Sequence, residues 1–119
     1  MITIGDVRRM ALAFEEAEES PHFERTSFRV RKKIFATLDT EKKQVVLKLP
    51  FAEQSAFSAF DSSVIYPVPG AWGTKGWTIV ELDKAGKEIF ADALNVSYCT
   101  VAPKSLASKY LPHPNDDFG

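Results

Sequence analysis

The sequence predicts a single α+β domain, a two-layer sandwich with N- and C-terminal helices packed on an antiparallel sheet of four to five strands. Three observations carry that expectation. Apolar residues recur at helical spacing near both ends, they recur at period two through the middle, and turn-forming residues separate the period-two segments. The 119 residues suffice for one domain burying about two-thirds of its unfolded surface, and nine Phe with two Trp supply a large apolar content.

Thr3 followed by Asp6 has the spacing of a capping box. Val7, Met10, Ala11, Phe14 and Ala17 then share one helical face, so a helix is expected over 4–18, ended by Ser20-Pro21. Glu15, Glu16, Glu18 and Glu19 sit at its C-terminal end, unfavourably for the helix dipole, and are expected to be solvated.

From Phe23 the period becomes two. Phe28 and Val30 point one way, and Arg25, Ser27, Arg29 and Arg31 point the other. Lys32-Lys33 would turn this strand into Ile34–Leu38. Tight turns of that kind prefer glycine because φ must be positive, so a longer or bulged turn is expected. A third strand follows over Gln44–Leu49, with Val45, Leu47 and Leu49 on one face.

Pro50 opens a helix over Phe51–Phe60, stopped by Asp61-Ser62-Ser63. Val64-Ile65-Tyr66 is a short extended piece closed by Pro67 and Pro69. The glycine-rich loop Gly70–Gly76 leads into a strand over Trp77–Leu82. Its glycines read as permitting a tight turn in which Trp72 and Trp77 pack into the core. Asp83 caps a last helix over about 84–99, and Pro103 breaks or bends it. The domain is expected over 1–110, with 111–119 a flexible tail by composition.

The overall charge is −1, but it is unevenly placed. Residues 22–50 hold eight basic and three acidic side chains, while the segments on either side are net acidic. Residues 1–20 lack the basic-then-apolar pattern of a signal peptide, and no apolar run approaches the ~20 residues of a membrane span. The single Cys99 excludes an internal disulfide and a multi-cysteine metal site. A cytoplasmic protein is expected, without a membrane partner.

Pro21-His22-Phe23, Ser27-Phe28-Arg29-Val30, Lys33–Leu38, Lys48-Leu49, Tyr66-Pro67, Trp72-Gly73, Gly76-Trp77-Thr78, Ser97-Tyr98 and Val101–Lys104 follow in order along most of the chain. In this ordered set the sequence resembles the MmcQ/YjbR-like family. The resemblance implies a compact fold of the CyaY-like type. It also implies DNA binding, since family members are described so from a likeness of fold to a double-wing DNA-binding domain. The Lys32-Lys33 turn departs from the glycine-containing turn expected there. CyaY-type folds include iron-binding proteins, but the acids of the first helix lack a matching second row, so no metal or other cofactor is expected.

Among candidate sites, Arg25, Arg29 and Arg31, extended by Lys32 and Lys33, form the most regular array. Side chains spaced by two along a strand stand about 6–7 Å apart, comparable to phosphate spacing. Trp72 and Trp77, if exposed beside Lys75, would offer stacking surfaces. The leading expectation is a non-enzymatic module binding DNA weakly and salt-sensitively through this face. The alternative is a protein- or small-ligand-binding adaptor using the Trp72–Trp77 loop.

An enzyme would need His22 paired with Ser27 or a carboxylate. The only other imidazole, His113, is far away in sequence, and no nucleophile motif accompanies either. Gly70–Gly76 lacks the residue order of a phosphate loop and opens a strand rather than a helix. Ser97 and Tyr98 lie on the apolar stripe of the last helix, as core contacts with local hydrogen bonds. Lys104 follows a helix-breaking proline.

Overall fold

The computed structural model describes residues 1–110. The tail 111–119 and His113 lie outside the described residues. The chain runs α1 (Ile4–Leu12), β1 (Ala17–His22), β2 (Arg25–Val30), β3 (Lys33–Asp39), β4 (Gln44–Lys48), α2 (Phe51–Phe60), β5 (Ile65–Pro67), α3 (Ala71–Thr74), β6 (Trp77–Glu81), α4 (Lys87–Val101) and α5 (Lys104–Ala107). The strands form one antiparallel sheet in the order β1-β2-β3-β4-β6-β5.

One face of the sheet is the core. Phe28, Val30, Ala36, Leu38, Val45, Leu47 and Val80 are fully buried there with Val7 and Ala11 of α1 and Phe90, Ala93 and Leu94 of α4. A bulge between β2 and β3 sets Phe28 opposite Ala36 and Arg29 opposite Ile34. The intervening Phe35 turns into the core and meets the ring of Tyr98 edge-on at 5.4 Å.

Ser97 joins the two layers through polar contacts. Its hydroxyl donates to the Phe35 carbonyl at 2.5 Å and accepts from the Lys48 amide at 2.9 Å. Tyr98 donates to the Glu15 carbonyl at 2.6 Å, and burial raises its hydroxyl pKa to about 12. Both residues are core contacts as expected, but their partners are distant in sequence rather than local.

The α+β sandwich is present with six strands rather than four or five, because the segment expected to finish the first helix is an edge strand. The capping box forms, with Thr3 Oγ1 accepting from the Asp6 amide and Asp6 accepting from the Thr3 amide, both at 3.0 Å. The helix nevertheless ends at Leu12, and Glu16 reverses the chain at φ 62°. Residues 17–22 then pair along their whole length with β2. Pro21 is tolerated because it lies on an edge strand. Three of the four glutamates placed badly for a helix, Glu15, Glu16 and Glu19, find basic partners from here. Glu19 takes Arg8 at 3.0 Å, and Glu16 takes Arg31.

The β2–β3 turn also differs from expectation. Val30 pairs with Lys33, so the connection is a tight two-residue turn of Arg31 and Lys32, with φ 49° and 70°. Arg31 therefore stands in the turn and not on the strand face with Arg25 and Arg29. At the other end, α4 starts at Lys87 behind Gly86 rather than behind Asp83, and Pro103 separates it from α5, which Lys104 begins. No helix among the described residues is long and apolar enough to cross a membrane.

Candidate ligand-binding groove on the open sheet face

The second face of the sheet carries none of the long helices. Its residues follow from strand register. One row crosses all six strands as Ser20, Ser27, Thr37, Val46, Ile79 and Tyr66. On one side of it lie Arg29 and Ile34, with Lys48 opposite Trp77 further across the sheet. On the other side lie His22 opposite Arg25 and, beyond them, Asp39, Gln44 and Glu81.

This surface is hollowed into a groove of about 680 Å³, within the range of sites for small molecules. Ile34, Val46 and Ile79 form its half-buried apolar floor. Trp77, Trp72 and Val68 border it on the β6 side. His22, Phe23, Glu24 and Arg25 of the β1–β2 hairpin border it on the other. Phe23, at φ 57°, is 94% exposed at the hairpin tip.

Both tryptophans belong to this groove rather than to the core, where the sequence placed them. Trp72 is 61% exposed and Trp77 half-buried. The Lys75 ammonium lies over the Trp72 ring at 5.3 Å and that of Lys48 over Trp77 at 5.1 Å. The loop that presents Trp72 contains the short helix α3 and is fixed from beneath. A Cβ on Gly73 would lie 1.9 Å from the Val68 carbonyl oxygen. One on Gly76, at φ 104°, would lie 2.2 Å from that of Leu49. Buried Gln54 of α2 donates to the Gly73 carbonyl at 2.9 Å and to Thr78 Oγ1 at 3.0 Å.

The basic candidates are distributed unequally. Arg25 lines the groove, with Nε 3.8 Å from Asp39 Oδ2. Arg29 shares the open face and donates from Nε to Ser27 Oγ at 3.0 Å. Arg31 is held by Glu16 through two charge-assisted hydrogen bonds of 3.0 and 3.1 Å, which lower the Glu16 pKa and raise that of Arg31. Lys32 and Lys33 are exposed at the hairpin tip. Lys75 is on the opposite side, with Trp72.

His22 reaches the groove, but Ser27 is engaged elsewhere. Its hydroxyl donates to the Ser20 carbonyl at 2.8 Å while accepting from Arg29, so it does not form the pair a general base would need. Cys99 is half-buried on α4, and burial raises its thiol pKa. At the far end of the open face the Tyr66 hydroxyl donates to Glu81, which also accepts from Gln44 Nε2 at 2.9 Å. The carboxylate raises the phenol's pKa to about 12. Among the described residues no three His, Cys, Asp or Glu side chains are grouped to hold a metal ion.

The apolar floor escaped the sequence reading, although a signal for it exists. Val46 sits between core residues Val45 and Leu47, and Ile79 before Val80, so both strands carry apolar side chains on the face expected to be solvated. Gln54 carries no comparable signal.

The YjbR family model matches residues 12–100, from the end of α1 nearly to the end of α4. The chain belongs to the YjbR family. A likeness of fold accompanies the match. The crystal structure of a Deinococcus radiodurans protein with family-model domain DUF419 is similar to this chain with a TM-score of 0.77. It is 22% identical, and the similarity covers 94% of this chain and 91% of that one. No curated protein matches the chain. The match to the YjbR model spans every strand, and so both sides of the groove.

Proposed function

We propose that the protein is a non-enzymatic binding module whose open sheet face takes a small planar, largely apolar ligand, with a polar acceptor group directed toward Arg25. The groove carries this reading: an aliphatic floor of Ile34, Val46 and Ile79 between two tryptophans and the β1–β2 hairpin. Flat rings can lie on such a floor and stack on exposed indole. Arg25 supplies donors, and its contact with Asp39 at 3.8 Å is weak enough to be exchanged. The module would act in the cytoplasm, where a chain with one unpaired cysteine needs no disulfide.

A second reading keeps nucleic acid as the occupant. Arg25 and Arg29 share the open face with both tryptophans, which supports single-stranded bases stacking there while phosphates meet the arginines. It depends less on Arg31, which Glu16 already neutralises.

The two readings separate in one experiment. Tryptophan fluorescence is followed while naphthalene-2-carboxylate, its neutral amide, or short single-stranded and duplex DNA is added at low and moderate salt. Saturable binding of the naphthyl compounds, little changed by salt and lost in Trp72→Ala, is the expected result. Salt-sensitive binding of DNA alone, lost in Arg25→Glu with Arg29→Glu, would replace the first reading by the second. Silence from every probe sinks both.

A further inference from the structure

A second groove, of about 520 Å³, lies on the helical side of the molecule between α2 and α4. Phe57, Phe60, Ile89 and Val96 supply its apolar surface. Phe60 is 76% exposed and extends a contiguous apolar surface with Phe57, Ile89 and Val96. Around it stand three carboxylates, Glu53 from α2 and Glu88 and Asp92 from α4.

No basic side chain lines this groove. Lys87, adjacent in sequence to Glu88, reaches Asp6 at 3.8 Å, and Lys84 acts on the Asp61 carboxyl instead. Among the described residues, none of the three acids forms an ion pair. An apolar slot with an acidic rim is complementary to an apolar stripe flanked by cations.

We propose that this groove docks an amphipathic helix of another protein, with aliphatic residues at i, i+3, i+4 and i+7 and Lys or Arg on both flanks. The apolar stripe covers Phe57, Phe60 and Ile89, and the cations meet Glu53, Glu88 and Asp92. The chain's own segment 111–119 fits poorly, because it holds Asp116 and Asp117 and no Lys or Arg. The arginines of α1 in a second copy are also committed, since Arg8 and Arg9 are held by Glu19 and Asp6. The site lies in the opposite layer from the sheet groove and is independent of its occupant.

The test titrates the full chain with a labelled helical peptide of Leu and Lys at that spacing, and with its Leu and Glu counterpart, at low and moderate salt. Binding of the Lys peptide alone, weakened by salt, is expected. Phe60→Ser, and separately Glu88→Lys with Asp92→Lys, should each weaken it about tenfold or more. Trp72→Ala should leave it unchanged. Because Phe60 is exposed, Phe60→Ser is expected to fold, and thermal melting checks that.

Four results would overturn the proposal: no binding at low salt, equal binding of the Glu peptide, binding that survives both sets of substitutions, or binding lost in Trp72→Ala. A wild-type chain that sediments as a dimer and becomes monomeric in Phe60→Ser would assign the groove to a second copy. Attachment to neutral phosphatidylcholine vesicles through Phe60, without peptide binding, would assign it to a membrane.

Discussion

Arg31 and Glu16 face each other across the β1–β2 pair as a bidentate ion pair, both with left-handed backbone, at φ 49° and 62°. Each stands next to the matched residues Ala17 and Val30, so the pair closes the end of that ladder. Its pH dependence follows from the direction of the Glu16 shift. A carboxyl whose pKa is lowered by folding contributes stability above its unfolded value, near 4.5, and loses it as pH falls through the lower folded value. The Arg31 shift lies far above neutrality and adds nothing in this range. Glu16→Gln should therefore melt below the wild type at pH 7, and the two curves should converge as pH drops below about 4.5. A constant gap in melting temperature down to pH 2 would mean that the ion pair is not the cause.

The turn beside that pair carries strain the side chains do not require. Lys32 sits at φ 70° in the second position of a two-residue hairpin turn, where glycine is favoured. The left-handed penalty of roughly 1–2 kcal/mol for an L-residue exceeds the entropic cost of roughly 0.5–1 kcal/mol for glycine. Lys32→Gly should stabilise the protein by about 0.5–1 kcal/mol in denaturant unfolding. A loss of stability would show that the Lys32 side chain has a role not visible in its exposure.

These two residues also explain where the sequence was legible. The centre of the sheet was readable because Val45, Leu47 and Val80 alternate with outward residues and are bounded by turn residues. The stretch 13–22 was not, because Phe14 and Ala17 continue the helical spacing of α1 by coincidence. The chain reversal at Glu16 is tied to Arg31, fifteen residues away, by a contact that no local pattern reveals. The arginine array failed as an array for the same reason: period two ends at Val30, and only pairing with Lys33 reveals it. In the groove, Trp72 and Arg25 could be named from residue type. Val46 and Ile79 carried a local signal, apolar residues on both faces of β4 and β6, but bringing Ile34 to them depends on a bulge that no local pattern encodes.

Ser97 should be the most sensitive small polar residue of the core. Removing its hydroxyl strands the Lys48 amide and the Phe35 carbonyl in a site where Ser97 is fully buried. Leaving buried backbone groups without partners costs about 1–3 kcal/mol. Ser97→Ala should lower the melting temperature by roughly 5–15 °C for a domain of this size. Ser108→Ala, whose hydroxyl is exposed and contacts only the nearby Ser105 carbonyl at 3.5 Å, serves as the control and should change it little. Equal melting of the two variants would show that water replaces the Ser97 hydroxyl.

The two tryptophans should divide stability from binding. Trp72 stands on a loop that Gly73, Gly76 and Gln54 fix without help from the indole, and most of its ring meets solvent. Trp72→Ala should therefore cost less than about 1 kcal/mol, since exposed substitutions away from the core rarely cost more. Trp77 is half-buried within β6, opposite Lys48, whose ammonium lies over its ring. Trp77→Ala should cost about 1–3 kcal/mol through lost aromatic packing on the strand. Naphthyl ligands, if they occupy the groove, should lose affinity in both variants despite this difference. Iodide quenching gives the matching spectroscopic check. The fluorescence of Trp77→Ala, which retains Trp72, should be quenched strongly, and that of Trp72→Ala weakly. Bound ligand should protect Trp72 from iodide, and quenching unchanged at saturating ligand would place the ligand elsewhere.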